Sequence, residues 1–266
     1  MNLLDQAAGD HGWRLARTFA FGWSQFWVLN PPVVLVTTLL PRAVMQALFF
    51  TMLGRYVGGP EHAGFVLVAT PAITLPLMCT VNIVEVIMVE KWSGTFWRVR
   101  RGRVHPVLVL ALRAWPFAAV GLVTSLIALL AAGLVVGFGD LGRHLPGLVP
   151  IYALMAVSMC AAGLAGTALA LGRRADIVVG NLLAYLVILA SGAFLPIERL
   201  GALQPLAWLL PGSHAVAAAR AIADDQPWAT QVVLEAAVGA CWLAVAAVAI
   251  WVQLRRARRH GHDDFV

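Results

Sequence analysis

Residues 90–103, EKWSGTFWRVRRGR, hold the densest group of polar, cationic and aromatic side chains in the sequence. Five cations stand beside two tryptophans and one Ser-Gly-Thr. Trp92, Phe96 and Trp97 recur at spacings that predict aromatic bulk on one side of a short helix. Gly94 would let another surface approach the backbone closely. These residue types favour contact with another surface over bond-breaking chemistry.

The arrangements that catalysis requires are missing from the sequence. An ATPase needs a glycine-rich loop that ends in Gly-Lys-Ser/Thr, but the only lysine, Lys91, follows Val89-Glu90. The seven histidines are scattered and do not form a metal-ligand pattern. Nucleophile elbows and paired intramembrane carboxylates are also missing. We therefore expect no enzymatic activity, no metal site and no cofactor in this chain.

A second set of polar residues interrupts apolar stretches. Charged groups inside a bilayer are costly and often mark pairs or pathways. Arg42 and Glu85 match roughly in depth, so we consider them a possible pair. Two prolines precede Asn82 and predict a bent helix that faces protein or a pathway. Because Arg113 and Glu235, like most of these charges, lie near the ends of apolar runs, an ion-coupled carrier is poorly supported.

The elements that position these residues are predicted from composition. The chain is 61% hydrophobic and only 12% charged, whereas an ordinary soluble domain is about 25% charged. A spanning helix needs about 20 mainly apolar residues. Period-2 alternation is absent, which favours helices over a barrel. We predict an all-α polytopic membrane protein whose six transmembrane helices lie near residues 34–54, 63–89, 107–138, 148–171, 177–195 and 229–252.

The distribution of cations predicts the orientation. If the N-terminus is cytoplasmic, thirteen Lys and Arg residues fall on that side and four on the other. This asymmetry follows the positive-inside rule, so we expect both termini and residues 90–103 to be cytoplasmic. In a chain this apolar, a formal net charge of +6 indicates topology, not binding of nucleic acid.

Three segments flank or interrupt the spans. Residues 1–30 are aromatic and weakly basic, which predicts an amphipathic helix along the membrane interface. Residues 31–254 form the transmembrane domain, and residues 255–266 form a cytoplasmic tail. Residues 196–228 are too rich in proline for one spanning helix and too apolar for a solvated loop, so we predict two short helices in a re-entrant outer hairpin. The residues that we assign to this hairpin are Pro196, Pro205, Pro211 and His214.

This order of segments resembles the permease subunits of type 2 ABC exporters. Glu90-Lys91 and Gly94-Thr95 are similar to the cytoplasmic Glu-x-x-x-Gly-Thr motif of that family, and Pro106 lies close to the proline that usually follows. Residues 191–220 are similar to the outer hairpin of the branch that includes daunorubicin-type drug exporters and nodulation-factor exporters. One departure is the strongly basic sequence after Gly-Thr, where family members usually carry an apolar or acidic turn.

The resemblance implies that two permease chains pair, as a homodimer here, and that each carries a separate ATP-binding subunit, which binds ATP and Mg. Residues 90–105 would be the coupling helix that docks on this subunit. Its contact residues would be Glu90, Trp92, Gly94, Thr95, Phe96 and Trp97. Candidates for the pathway or its gate are Arg42, Asn82, Glu85, Ser191 and Phe194. Residues 98–103 would contact either the ATP-binding subunit or lipid headgroups.

The expected function is export of an amphipathic drug or natural product through the inner (plasma) membrane. Membrane lipid and the substrate are the other expected partners. Export of a lipid-linked glycan by the same mechanism is the first alternative. A stand-alone carrier that uses an ion gradient is the second, and a membrane enzyme is the third.

Overall fold

The computed structural model describes residues 3–138, 141–170 and 176–260, and every regular element in these ranges is helical. The predicted all-α class is therefore confirmed for the described residues. The α-helices are α1 Leu3–Leu29, α2 Pro32–Val34, α3 Leu40–Val68, α4 Thr70–Pro76, α5 Glu85–Trp92, α6 Phe96–Arg101, α7 Pro106–Val136, α8 Leu141–Ala170, α9 Asp176–Ala190, α10 Gln204–Leu209, α11 Ser213–Ala223 and α12 Ala229–His260.

Five of the described helices are long and apolar enough to cross a membrane. We refer to them in order as the first, second, third, fourth and last span: Pro32–Gly59, Thr70–Glu90, Pro106–Val136, Leu141–Leu169 and Ala229–Arg256. The remaining predicted span coincides with α9, of which 15 residues are described, so a sixth span stays a prediction. Residues 171–175 lie outside the described ranges, and they include Arg173 and Arg174, two of the thirteen cations predicted on the cytoplasmic side.

The second and fourth spans form the centre of the helix bundle. In each, 72% of the most apolar window is buried, against 11% for the first span and 22% for the last. The fourth span packs against α7, α9, α11 and α12, and Tyr152 in its middle is fully buried. The first and last spans therefore leave broad apolar faces for lipid or other protein to cover.

The second span is bent, as its prolines predicted. α4 ends at Pro76, and a π-helical stretch, Leu77–Val81, and a 3₁₀ turn, Asn82–Val84, precede α5. A proline lacks the backbone N–H that continues an α-helix. The fourth span approaches this stretch so closely that a Cβ atom on Gly163 would overlap the carbonyl oxygen of Cys79. A glycine is therefore required where these two helices touch.

Residues 90–105 are divided between the end of α5 and α6 instead of forming the single helix predicted. α5 ends at Trp92, and a turn leads into α6, which begins at Phe96. Gly94 has φ +62° in that turn, a conformation that glycine adopts without steric cost. Trp92 and Phe96 therefore belong to different helices, and the predicted aromatic face of one helix is wrong. The side chains of Lys91 and Trp92 lie outside the described set.

The N-terminal and outer segments have the predicted helices. α1 covers most of residues 1–30, and its Phe26 ring meets Phe117 of the third span at 5.0 Å. Between α9 and the last span the chain forms two short 3₁₀ turns and then α10 and α11. The position of α1 along the membrane interface and the re-entrant path of residues 196–228 stay predictions. Residues 261–266 of the tail are outside the described ranges.

Candidate functional site

Glu90 is the centre of a polar cluster where the second span ends. Its carboxylate accepts a hydrogen bond from Arg113 Nη1 at 2.5 Å and another from Thr95 Oγ1 at 2.5 Å. The Thr95 backbone N–H donates to the Glu90 carbonyl at 2.9 Å. Gly94 allows the turn that brings Thr95 back to Glu90. The spacing of Glu90, Gly94 and Thr95 thus has a physical basis, because the turn closes on the glutamate.

Arg113 connects this turn to the third span and to α1. The Arg113 and Glu90 side chains are only 13% and 9% exposed, so the ion pair is largely removed from solvent. The guanidinium carbon of Arg113 also lies 4.6 Å from the centroid of the Phe21 ring on α1. A Cβ atom on Gly22 would come within 2.9 Å of the Arg113 Cα. Four segments, α1, α5, the turn and α7, therefore meet at one ion pair.

We call Glu90, Thr95, Arg113 and Phe21 the inner cluster. Breaking a buried ion pair by removing one partner costs about 3–5 kcal/mol, since the other charge is left without compensation. The side chains around the turn that face outward are different. Trp97 is 44% exposed, and Ser93, Gly94 and Arg98 are also exposed. The turn therefore has a buried side, which holds the inner cluster, and an exposed side.

The predicted coupling residues have unequal exposure, and the side chain of Trp92 is not described. Glu90 and Phe96 are 7% and 5% exposed, so they support the turn from inside. Gly94 and Trp97 lie on the surface. Arg113 was not among the predicted site residues. The signal for it was present in the sequence, because Arg113 is a lone cation about two turns into the span that follows Glu90.

The five predicted pathway residues are not brought together. Arg42 is exposed on the first span, whereas Ser191 is fully buried and its hydroxyl donates to the Ile188 carbonyl at 3.0 Å. The Phe194 ring packs on Phe50 of the first span at 4.8 Å. Asn82 is half-buried, and its side-chain amide lies 3.5 Å from the Met78 sulfur.

The considered pair of Arg42 with Glu85 is not formed. Glu85 instead accepts a hydrogen bond from the side chain of Asn30 at 3.1 Å. Asn30 is 5% exposed and ends α1 where the chain turns into the first span. Similar depth in the membrane did not predict that the two side chains are adjacent, because depth does not determine which sides of the two helices contact each other.

A second cluster fixes the outer hairpin. Glu235 of the last span is fully buried, and its carboxylate accepts hydrogen bonds from the backbone N–H groups of Gly212, at 2.9 Å, and Ala215, at 3.1 Å. Ser158 of the fourth span donates to the same carboxylate. The first N–H groups of a helix lack partners within the helix and carry partial positive charge. Glu235 therefore stabilises the N-terminus of α11. We call Glu235, Ser158, Gly212 and Ala215 the outer cluster.

The predicted hairpin residues lie at turns and helix ends of this segment. Pro196 precedes a 3₁₀ turn, Pro205 lies in the first turn of α10, and Pro211 precedes Gly212 in the turn to α11. His214 Nδ1 lies 3.0 Å from the side-chain oxygen of Gln231. The sequence offered no signal that Glu235 would cap α11, because its partners are mainly backbone groups.

Arg220 holds the other end of α11. Its guanidinium donates to the carbonyls of Phe65, at 3.3 Å, and Ala193, at 3.2 Å. The guanidinium carbon also lies 3.3 Å from the centroid of the Phe65 ring. Burial lowers the pKa of Arg220 to about 10, so the side chain is still cationic at neutral pH. α11 is therefore joined to the C-terminal part of α3, which continues beyond the first span, and to the chain that follows α9.

A comparison with known protein families matches residues 19–223 to the family described as ABC-2 type transporter. The match covers the C-terminal part of α1, the first four spans, α9 and both helices of the outer segment. Comparisons with curated proteins and with solved structures find no match.

Proposed function

This chain belongs to the ABC-2 type transporter family, and from that premise we propose that it is the permease of an exporter for amphipathic small molecules. The family consists of membrane-spanning transport components and implies a separate ABC ATP-binding partner. The chain is a multi-pass membrane protein with five long apolar helices among its described residues. Export as the direction, the substrate class and pairing of two permeases are proposals beyond these statements.

The inner cluster is the observation that carries the proposal. It joins an exposed turn and its neighbour Trp97 to the second span, the third span and α1 through the ion pair of Glu90 and Arg113. We assign residues 90–103 the role of coupling segment. The ATP-binding subunit, which would bind ATP and Mg, would contact Gly94 and Trp97, and its movement would displace the spans through Glu90 and Arg113. Both termini and this segment would be cytoplasmic, at the inner membrane.

Pairing of two permeases is supported by the first span. Only 11% of its most apolar window is buried within the chain. Arg42 is exposed on this span, about 15 Å along the helix from Pro32. A guanidinium at that depth is costly in hydrocarbon. A second copy or a polar pathway next to the first span would remove this cost.

The decisive experiment reconstitutes the chain in vesicles with the ATP-binding subunit encoded by the adjacent reading frame. We expect ATP-dependent movement of a hydrophobic drug, with Gly94→Trp abolishing the stimulation of ATP hydrolysis while the chain still inserts. Movement of undecaprenyl-linked sugar but not of the drug would show that the substrate class is wrong. Transport by the chain alone, driven only by an ion gradient, would contradict the permease role.

A further inference from the structure

A cavity of about 540 Å³ lies between α1, the turn after α5, α6 and the start of α7. Phe21 of α1, Glu90 and the arginines at positions 98, 103 and 113 line it. Ligand pockets commonly have volumes of about 300–1,000 Å³. The cavity is therefore large enough for a small polar group with a few attached carbons.

The charges that line the cavity favour an anion. Three arginines face one carboxylate, and that carboxylate, Glu90, is already bonded to Arg113 and Thr95. Arg113 Nε is buried without a hydrogen-bond partner in the described part of the chain. Within the same residues, no acidic side chain forms an ion pair with Arg98 or Arg103. The lining thus has unsatisfied donors and an excess of two positive charges.

The depth of the cavity and its apolar wall favour a lipid over a soluble anion. The second span ends at Glu90 and the third begins at Pro106, so the cavity lies where two spans leave the hydrocarbon. Phe21, Val89 and Val109 give it an apolar wall, and Phe21 is 50% exposed. Basic pockets at this level of a membrane protein bind anionic headgroups.

We propose that this cavity is a binding site for the headgroup of an anionic phospholipid. The lipid phosphate lies between Arg98 and Arg103, and the glycerol and first acyl carbons contact Phe21 and the valines. A bound lipid bridges α1 and α6 and so holds the coupling segment against the bilayer. The binding site itself is independent of the transport role, and only this bridging effect on coupling rests on the proposed function.

The test measures phosphatidylglycerol binding to the purified full-length chain in neutral detergent by native mass spectrometry. Phosphatidylcholine is the uncharged reference lipid. We expect Arg98→Gln/Arg103→Gln to bind phosphatidylglycerol about 25-fold more weakly, since each arginine at an anionic surface contributes about fivefold. The control, Arg255→Gln/Arg256→Gln, removes two exposed charges from the end of α12 and should change binding by less than about twofold, as neither arginine lines the cavity.

Four outcomes would overturn the proposal: unchanged binding in Arg98→Gln/Arg103→Gln, an equal loss in the control, no recovery in Arg98→Lys/Arg103→Lys, and displacement of the lipid by inorganic phosphate. The last would identify a site for free phosphate. If Arg98→Gln/Arg103→Gln kept its lipid but no longer copurified with the ATP-binding subunit, the arginines would belong to a protein contact. The lipid measurement contains neither ATP nor the second subunit, so its failure leaves the permease role untouched.

Discussion

The inner and outer clusters each place a buried glutamate at a junction of helices, and they compensate its charge in different ways. Glu90 pairs with the guanidinium of Arg113 and the hydroxyl of Thr95. Glu235 has no cation among its hydrogen-bond partners, and it accepts from Ser158 and the backbone of Gly212 and Ala215. The partners of the Glu90 carboxylate are side chains only, whereas those of the Glu235 carboxylate include backbone N–H groups at the start of α11.

This difference distinguishes a cluster whose helices can be displaced from a cluster that holds its helices in place. Arg and Glu side chains have several rotatable bonds, so the ion pair can stay formed, and keep the turn joined to the third span, when the turn is displaced. A carboxylate bonded to backbone N–H groups at a helix start cannot follow a shift of that helix without losing those bonds. We therefore expect the inner cluster to transmit displacement and the outer cluster to fix the hairpin against the fourth and last spans.

Replacement of Arg113 should have the largest effect. Arg113→Met leaves Glu90 buried without its cation, and we expect a loss of about 3–5 kcal/mol in the free energy of unfolding. Stimulated ATP hydrolysis should be lost as well. Because a neutral pair avoids the uncompensated charge, Glu90→Gln/Arg113→Met should be more stable than Arg113→Met alone. Thermal unfolding in detergent measures this order, and a strictly additive double variant would contradict the coupling of the two residues.

Replacement of Glu235 should follow. Glu235→Ala leaves two backbone N–H groups at the start of α11 without an acceptor, which costs about 2–4 kcal/mol. Glu235→Gln keeps one acceptor oxygen and should lose less of the free energy of unfolding than Glu235→Ala. Copurification with the ATP-binding subunit should survive in both variants, since the inner cluster is intact. If either Glu235 variant kept its stability but no longer copurified with the ATP-binding subunit, the outer cluster would also take part in coupling.

The two hydroxyls give a smaller and matched comparison. Thr95→Val and Ser158→Ala each remove one hydrogen bond to a carboxylate, so each should cost about 1.5–3 kcal/mol. We expect only Thr95→Val to lower the stimulation of ATP hydrolysis. The two variants can be compared in one assay of hydrolysis and one of thermal unfolding. Equal effects on hydrolysis would mean that the outer cluster also takes part in coupling.

Gly94 provides the smallest change in stability. Gly94→Ala places a Cβ atom where φ is +62°, which costs about 1–2 kcal/mol. Apart from its chain neighbours, a Cβ atom there meets no atom of the described residues within 4 Å. Any extra loss of stimulated hydrolysis in Gly94→Trp, relative to Gly94→Ala, therefore measures contact with the partner subunit. Identical hydrolysis in the two variants would remove Gly94 from that contact.

The helical class, most spans and the two helices of the outer segment were predictable because length and apolar composition are sufficient for them. The division of residues 90–105 into two helices was not predictable, since the spacing of the aromatic residues does not reveal the turn at Gly94. Glu235 and Arg220 bond mostly to backbone groups, which carry no residue-specific signal. Arg113 could have been found from its depth beside Glu90, yet the same depth argument failed for Arg42 and Glu85.

The break in the second span has a torsional consequence. A 3₁₀ turn rotates by about 120° per residue and an α-helix by about 100°. If the three residues Asn82–Val84 became α-helical, α5 would turn by about 60° relative to α4. Glu90 follows this break along the chain, and Gly163 of the fourth span lies against Cys79 and Ile83 within it. A change of helix type at the break would therefore alter both the direction of the Glu90 side chain and the contact with the fourth span.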